Sequence, residues 1–180
     1  MNERTIRLPD GDRLTVRPMQ ETDVDAMLTA ILNLSPESFR RRFFSSVPRL
    51  LPGMAEALTA VDDHHLALLA FDDAGTLVAI AEAIRETTDP QVAEVAMAVA
   101  DAHQHRGIGA RLLRQLSRHA AEEGVVRLIG FTQIDNTPAL AMFAEAGAHR
   151  WVEEPGVYGF EIPPVGSRVV APLAGFGRAA

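Results

Sequence analysis

The chain has 180 residues, 47% of them hydrophobic, enough to fill the core of one domain without staples. A formal charge of −7 argues against a nucleic-acid surface, which needs clustered basic charge to meet phosphate, and makes cationic partners the better match. Cysteine is absent, which excludes disulfides, thiolate metal sites and a cysteinyl acyl-enzyme.

Met1 to Arg17 is charged and lacks the apolar core of a signal peptide, and no later apolar run is long enough to cross a bilayer. A cytoplasmic chain with no membrane contact is therefore expected. Thr5 to Arg17 alternates apolar and polar residues around Pro9-Asp10-Gly11-Asp12, the pattern of a hairpin turning at Asp-Gly. Thr22 reads as the cap of a helix, with Asp25 completing a capping-box-like pair and Val24, Met27, Leu28, Ile31 and Leu32 as its apolar face. Ser35-Pro36 starts a second helix, serine as cap and proline at the first helical position. On it, Arg40-Arg41-Arg42 reads as a solvated face and Phe43-Phe44 as core or cleft wall. Val47 to Asp63 is poorly patterned and leaves room for a helix around Met54 to Val61.

Leu66 to Phe71 and Leu77 to Ala81 read as antiparallel strands joined at Asp72-Asp73-Ala74-Gly75. Val92 to Val99 is a strand whose two-residue period puts Val95, Met97 and Val99 on one face and Glu94, Ala96 and Ala98 on the other. Ile108, Leu112, Leu113, Leu116 and Ala120 then mark an amphipathic helix ended by Gly124, and Val125 to Phe131 a buried strand. Thr137-Pro138 opens a further helix with Leu140, Phe143 and Ala144 on one side and Gly147 at its end. Val157 to Ile162 is the last strand the pattern gives. Residues 1–163 should form one domain, and 164–180, without periodicity, an extended or flexible tail.

Between the strand at Val92 and the helix at Ile108 lies Gln104-His105-Arg106-Gly107-Ile108-Gly109-Ala110. Glycines there leave backbone N–H groups bare, and a helix beginning at the same place adds the positive end of its dipole, so the turn suits a pyrophosphate. The pattern Gln-x-x-Gly-x-Gly after a central strand resembles the GNAT superfamily of acyl-CoA-dependent N-acyltransferases. The resemblance implies an α/β fold with a mixed, mostly antiparallel twisted sheet, a splayed central parallel pair, and flanking helices.

A carboxylate in mid-strand is costly to bury unless paired, so Glu94 reads either as an edge or salt-bridged residue or as a general base. A base is wanted because a lysine amine, pKa about 10.4, is neutral in roughly one molecule in 2,500 at pH 7, and only the neutral form attacks a thioester. Partial desolvation that raised the carboxyl from about 4.3 would improve the match.

Arg13-Leu14-Thr15-Val16-Arg17-Pro18, Leu34-Ser35-Pro36-Glu37-Ser38 with Arg42-Phe43-Phe44, and Ala93-Glu94-Val95-Ala96 are similar to bacterial Pat-type protein lysine acetyltransferases. That resemblance implies acetyl-CoA as co-substrate, Glu94 as catalytic base, and cofactor contacts at Met97, Val99, Gln104, Arg106, Gly107, Ile108, Gly109 and Ala110. Asn136 matches a superfamily asparagine near the cofactor, and reads equally as a turn or cap residue. Phe143 stands where many superfamily members carry a tyrosine that protonates the leaving thiolate. Tyr158, the single tyrosine, reads either as a substitute donor or, more commonly for a strand tyrosine, as a packing residue, so the general acid is unassigned.

The histidines show no metal-ligand spacing, so no metal is expected and surface or supporting roles are. All 17 Lys+Arg residues are arginine, which reads either as genomic base composition or as immunity of a lysine-acetylating enzyme to itself. The expected function is direct acetyl transfer in a ternary complex to a protein lysine. A small amine acceptor, or an acyl-CoA-binding sensor without turnover, are the alternatives.

Overall fold

The amino-terminal alternation resolves into β1 (Arg4–Arg7) and β2 (Arg13–Pro18), antiparallel, with Gly11 at φ 98° in the turn. A Cβ would resist that φ, which is why Asp-Gly closes the hairpin. β3 (His65–Phe71) and β4 (Leu77–Arg85) form a second hairpin around Asp72, whose carboxylate accepts the Ala74 and Thr76 N–H groups at 3.0 and 2.8 Å. With β5 (Val92–Val99), β6 (Arg127–Gln133), β7 (His149–Glu154) and β8 (Val157–Ile162) they make an eight-stranded sheet ordered β1-β2-β3-β4-β5-β6-β8-β7. Among the described residues only β5 and β6 pair in parallel. This computed structural model describes residues 2–45, 53, 55, 58–60 and 62–163. Most of the helix expected at Met54 to Val61, and the tail from 164 to 180, lie outside the described residues; Thr59 does donate its N–H to the Ala55 carbonyl at 3.1 Å, one helical turn back.

Helices cover both faces. α1 (Val24–Leu32) and α2 (Pro36–Phe43) pack through Met27, Ile31 and Phe39 against Ala67, Leu69 and Ile80. On the opposite face α3 (Ile108–Glu122) and α4 (Thr137–Glu145) pack through Ile108, Leu112, Leu116 and Phe143 against Leu68, Ala81, Val95 and Leu128. Leu112 and Leu116 are fully buried, and each such side chain contributes about 1.5–3 kcal/mol of hydrophobic stabilisation. Glycines end α3 and α4 at the expected places, Gly124 at φ 85° and Gly147 at φ 72°. Among the described residues no helix is long and apolar enough to cross a membrane.

Local expectations fail where tertiary partners intervene. Thr22 lies inside a short 3-10 turn, Glu21–Asp23, and Asp23 closes it by accepting the Gln20 N–H at 2.8 Å and a bidentate Arg17 at 2.6 and 2.7 Å. Leu32 on α1 and Ala144 on α4 face solvent. β4 runs to Arg85 rather than stopping at Ala81, and β6 begins at Arg127 rather than Val125. β7 lacks a clean apolar alternation because it is the sheet's last strand, with four of its six residues exposed; Trp151 lies across Gly159 of β8, where a Cβ would overlap the indole.

Candidate active site

The parallel ladder between β5 and β6 runs from Val92↔Arg127 to Val95↔Gly130, yet β5 continues to Val99 and β6 to Gln133. Beyond Val95 the two strands part, and two adjoining cavities occupy the opening. The first, about 360 Å³, is lined by Met97, Val99, Gln104, Gly107 to Ala110 and Asn136, with α4 closing its far side through Met142. The second, about 290 Å³, is lined by Glu94, Phe43, Phe44, Phe131 and Phe143. Arg41, Arg42, Met97, Asn136, Ala139 and Met142 belong to both.

Gly107 sits at φ 74° as the residue before α3, so its amide and those that follow open the helix into the first cavity. A Cβ on Gly107 would meet Arg111 Nη1 at 2.7 Å, and one on Gly109 would meet Met142 Sδ at 3.2 Å. Bare backbone N–H groups at a helix N-terminus form an anion cradle. Gln104 aims its amide inward to the fold, donating to the Val99 carbonyl and to Ser38 Oγ, both at 3.0 Å. Arg106 is the expected residue that the cavity leaves out. Its guanidinium reaches the β1–β2 turn instead, binding Asp10 at 2.7 Å and Asp12 at 2.5 Å, which holds the Asp10 carboxyl below its ordinary value. Asn136 is the cap of α4 in place of Thr137: its Oδ1 accepts the Ala139 N–H at 3.4 Å and its Nδ2 donates to Thr132 Oγ1 at 3.0 Å.

Glu94 is half-buried on the wall of the second cavity. Ala98 packs toward α1 and α2, whereas Val95, Met97 and Val99 pack toward α3, which is the division of faces that the two-residue period gives. Ala96 pairs across the sheet with Glu82 of β4, so two carboxylates share that face. Glu82 is wholly buried, with Arg42 Nη2 on Oε2 and His65 Nε2 3.0 Å from Oε1. Burial opposes its charge, but Arg42 and His65 together prevail and hold the carboxyl below its usual range. Arg42 is thus no solvated residue, and His65 no surface histidine; His119 is buried as well, and burial lowers its pKa. The signal for Glu82 was present in the sequence as a lone carboxylate inside Leu77 to Ile84, an otherwise apolar strand.

α2 bridges the split between β5 and β6. At its start, Asp101 accepts the Ser35 N–H at 2.9 Å and the Ser35 and Ser38 hydroxyls at 2.7 Å each. At its end, Arg40 binds Asp135 at 3.0 Å and its carbonyl accepts Gln133 Nε2 at 3.1 Å. Tyr158 lines neither cavity; it lies under Arg150, whose guanidinium carbon is 4.4 Å from the ring centre. Among the described residues no group of three His, Asp or Glu is placed to hold a metal ion.

A parted parallel pair beside a glycine turn and a helix N-terminus defines a class of acyl-transfer folds, and the comparisons agree. Residues 28–148 match the model of the Acetyltransferase (GNAT) family. Acetyltransferase Pat of Mycolicibacterium smegmatis is 33% identical over 165 residues, covering 89% of this chain and 49% of the relative. Glucosamine 6-phosphate N-acetyltransferase 1 of Oryza sativa is 32% identical over 147 residues, covering 74% of this chain and 79% of the relative. The solved GNAT domain of S. lividans PAT superposes with a TM-score of 0.82 at 29% identity, covering 89% of this chain and 96% of that one. The chain belongs to the acetyltransferase (GNAT) family, a class of N-acetyltransferases. It spans about half the length of the mycobacterial relative.

Proposed function

We propose that this chain transfers acetyl from acetyl-CoA to the side-chain amine of a protein lysine, in the cytoplasm, by direct attack within a ternary complex. The observation that carries the reading is the meeting of two cavities at one wall, an anion cradle on one side and Glu94 on the other. The N–H groups from Gly107 to Ala110 hold the pyrophosphate, while the Arg106 side chain, engaged by Asp10 and Asp12, contributes through its backbone. Met97, Val99 and Asn136 flank the acyl arm, and Gln104 braces the loop from beneath. In the second cavity the phenylalanines accommodate the methylene stem of a lysine, whose amine, in its neutral form, meets Glu94.

Glu94 takes the proton that must leave the amine as the N–C bond forms, either directly or through one water. The glutamate's placement in the cavity also weighs against a sensor without turnover. Support for the protein acceptor comes from the resemblance of the chain's segments to Pat-type protein lysine acetyltransferases, together with the 33% identity to the mycobacterial Acetyltransferase Pat. The rice relative's name supports a small amine instead, and this is the second reading kept.

Glu94→Gln tests the assignment. It keeps the shape of the side chain and removes the base, so turnover at pH 7 is expected to fall about 10²-fold or more with acetyl-CoA affinity unchanged. Raising the pH, which deprotonates the amine without help, recovers part of the loss. Unchanged turnover at pH 7 sinks the role given to Glu94.

A further inference from the structure

Acyl transfer leaves a sulfur that must depart with its electron pair, and among the described residues the wall where the two cavities meet offers no carboxyl, phenol or imidazole to protonate it. Of the six residues common to both cavities, Met97, Ala139 and Met142 carry no side-chain donor, and the Asn136 amide is committed to Thr132 and to capping α4. Phe143 is stacked on Phe160 with ring centres 4.5 Å apart and has no proton to give. The Ser38 hydroxyl already donates to Asp101, and the Thr132 hydroxyl, which accepts from Asn136, is an alcohol, too weak an acid to protonate a thiolate of pKa about 8.5. His103 and His105 line the first cavity alone, in the loop before Gly107. What remains at the wall is a pair of guanidinium groups.

They are held differently. Arg41 binds Glu37 on its own helix, a carboxylate 61% exposed, so that charge is largely screened by solvent. The Arg42 side chain is 11% exposed and fixed to a carboxylate that is itself fully buried and braced from behind by His65. The Glu82 and His65 contacts hold its cation at the wall of both cavities, where fixed charge with little exposure to water acts with most effect on charge that develops during reaction.

Building on the acetyltransferase reading above, we propose that Arg42 is a catalytic residue: its guanidinium stands against the departing sulfur and stabilises it as a thiolate, in place of a proton donor. In the step, the amine nitrogen bonds to the acyl carbon, its proton passes to Glu94, and the C–S bond breaks with both electrons going to sulfur. The thiolate leaves as the anion of CoA and takes its proton from solvent after release, so the site needs a base and a cation but no general acid. Glu82 has no contact with the reacting atoms in this scheme. It is a positioning residue that aims Arg42.

The readout is the titration of CoA bound to the full chain, followed by thiolate absorbance against desulfo-CoA, which lacks the sulfur and cancels the protein's own titration. An ordinary thiol has a pKa of about 8.5 and an adjacent cation lowers it, so bound CoA is expected to titrate about one unit or more below CoA free in the same buffer. Arg42→Lys keeps the cation and most of that displacement. Because Arg42→Gln alone strands a buried carboxylate, the paired variant Arg42→Gln with Glu82→Gln is the test of lost charge; there the bound thiol returns to the free value and kcat falls about 10²-fold, with desulfo-CoA affinity unchanged. A bound thiol that titrates like free CoA in the parent, while turnover still depends on Glu94, overturns the role of Arg42 and leaves the acetyltransferase reading standing. A parent displacement that persists in the paired variant overturns it too. Failure of the parent to bind CoA at all overturns both.

Discussion

Two glutamates on one face of the sheet lie in different surroundings. Glu94 borders a cavity, whereas Glu82, two register positions along, is sealed between Arg42 and His65. Removing one partner of a buried ionic network strands the others, so Glu82→Ala is expected to cost about 3–5 kcal/mol in urea unfolding. Burial is the largest influence on both titratable members and opposes charge on each, but Glu82 is nonetheless held below its ordinary 4.5 and His65 above its ordinary 6.5. The Glu82 contribution is therefore present above pH 4.5 and lost as pH falls through its lowered folded value. That of His65 is complete below 6.5 and lost as pH rises through its raised folded value. Comparing the parent with His65→Asn across pH should show the parent's advantage shrinking above pH 6.5; an advantage that grows there contradicts the pairing. At the turn before α3, Gly107→Glu forces a side chain onto φ 74° and sets a negative charge where the proposed pyrophosphate would sit. A folded Gly107→Glu protein should lose acetyl-CoA binding by calorimetry, and parental affinity would place the cradle elsewhere.

At the scale of elements, α2 is the piece that makes two cavities from one split sheet. Asp101 ties its first turn to the loop that leads into the cradle, and Gln133 with Asp135 ties its last turn to the segment before α4. Solvent competes at Asp101, which reduces what its three hydrogen bonds contribute to roughly 1.5 kcal/mol together. Asp101→Ala should accordingly speed hydrogen exchange of the α2 amides about tenfold while leaving α3 unchanged. Partial burial works against the Asp101 charge but the Ser35 and Ser38 donors outweigh it, holding its carboxyl below 3.8, so this anchor is present above that pH and is released as pH falls through the lowered value. Equal exchange in parent and variant would remove Asp101 as an anchor of α2. Most elements were legible because one face of each is buried: β5 falls at its expected bounds, and the apolar stripe of α3 is wholly inside. The losses have physical causes. Serine 35 caps α2 as its sequence implies, but the partners that decide how its arginines lie, Glu82 and Asp135, are 40 and 95 residues away from theirs and leave no local mark.

The molecule as a whole carries a formal charge of −7 with every Lys or Arg an arginine, and both facts bear on the acceptor. An acidic surface draws cationic partners into encounter, although it does not choose among them. The place of Glu94 is read from a strand before a glycine turn, since both features are contiguous; the cavity it borders is not, because its walls, Phe44 just after α2 and Phe131 on β6, come together only in the fold. The chain has no lysine side chain to modify, so acetyl-lysine that appears in a mixture belongs to other proteins. Incubation with acetyl-CoA and a lysate, followed by mass spectrometry, should find a small set of lysines acetylated well above the chemical background and lost with Glu94→Gln. Surface lysines on folded proteins should dominate that set, since the methylene stem must reach past the exposed Phe44 to the carboxylate. A lysate pattern identical in parent and Glu94→Gln, with rapid turnover of a free polyamine or amino sugar by the parent alone, transfers the assignment to small amines while leaving the cradle and the base in place.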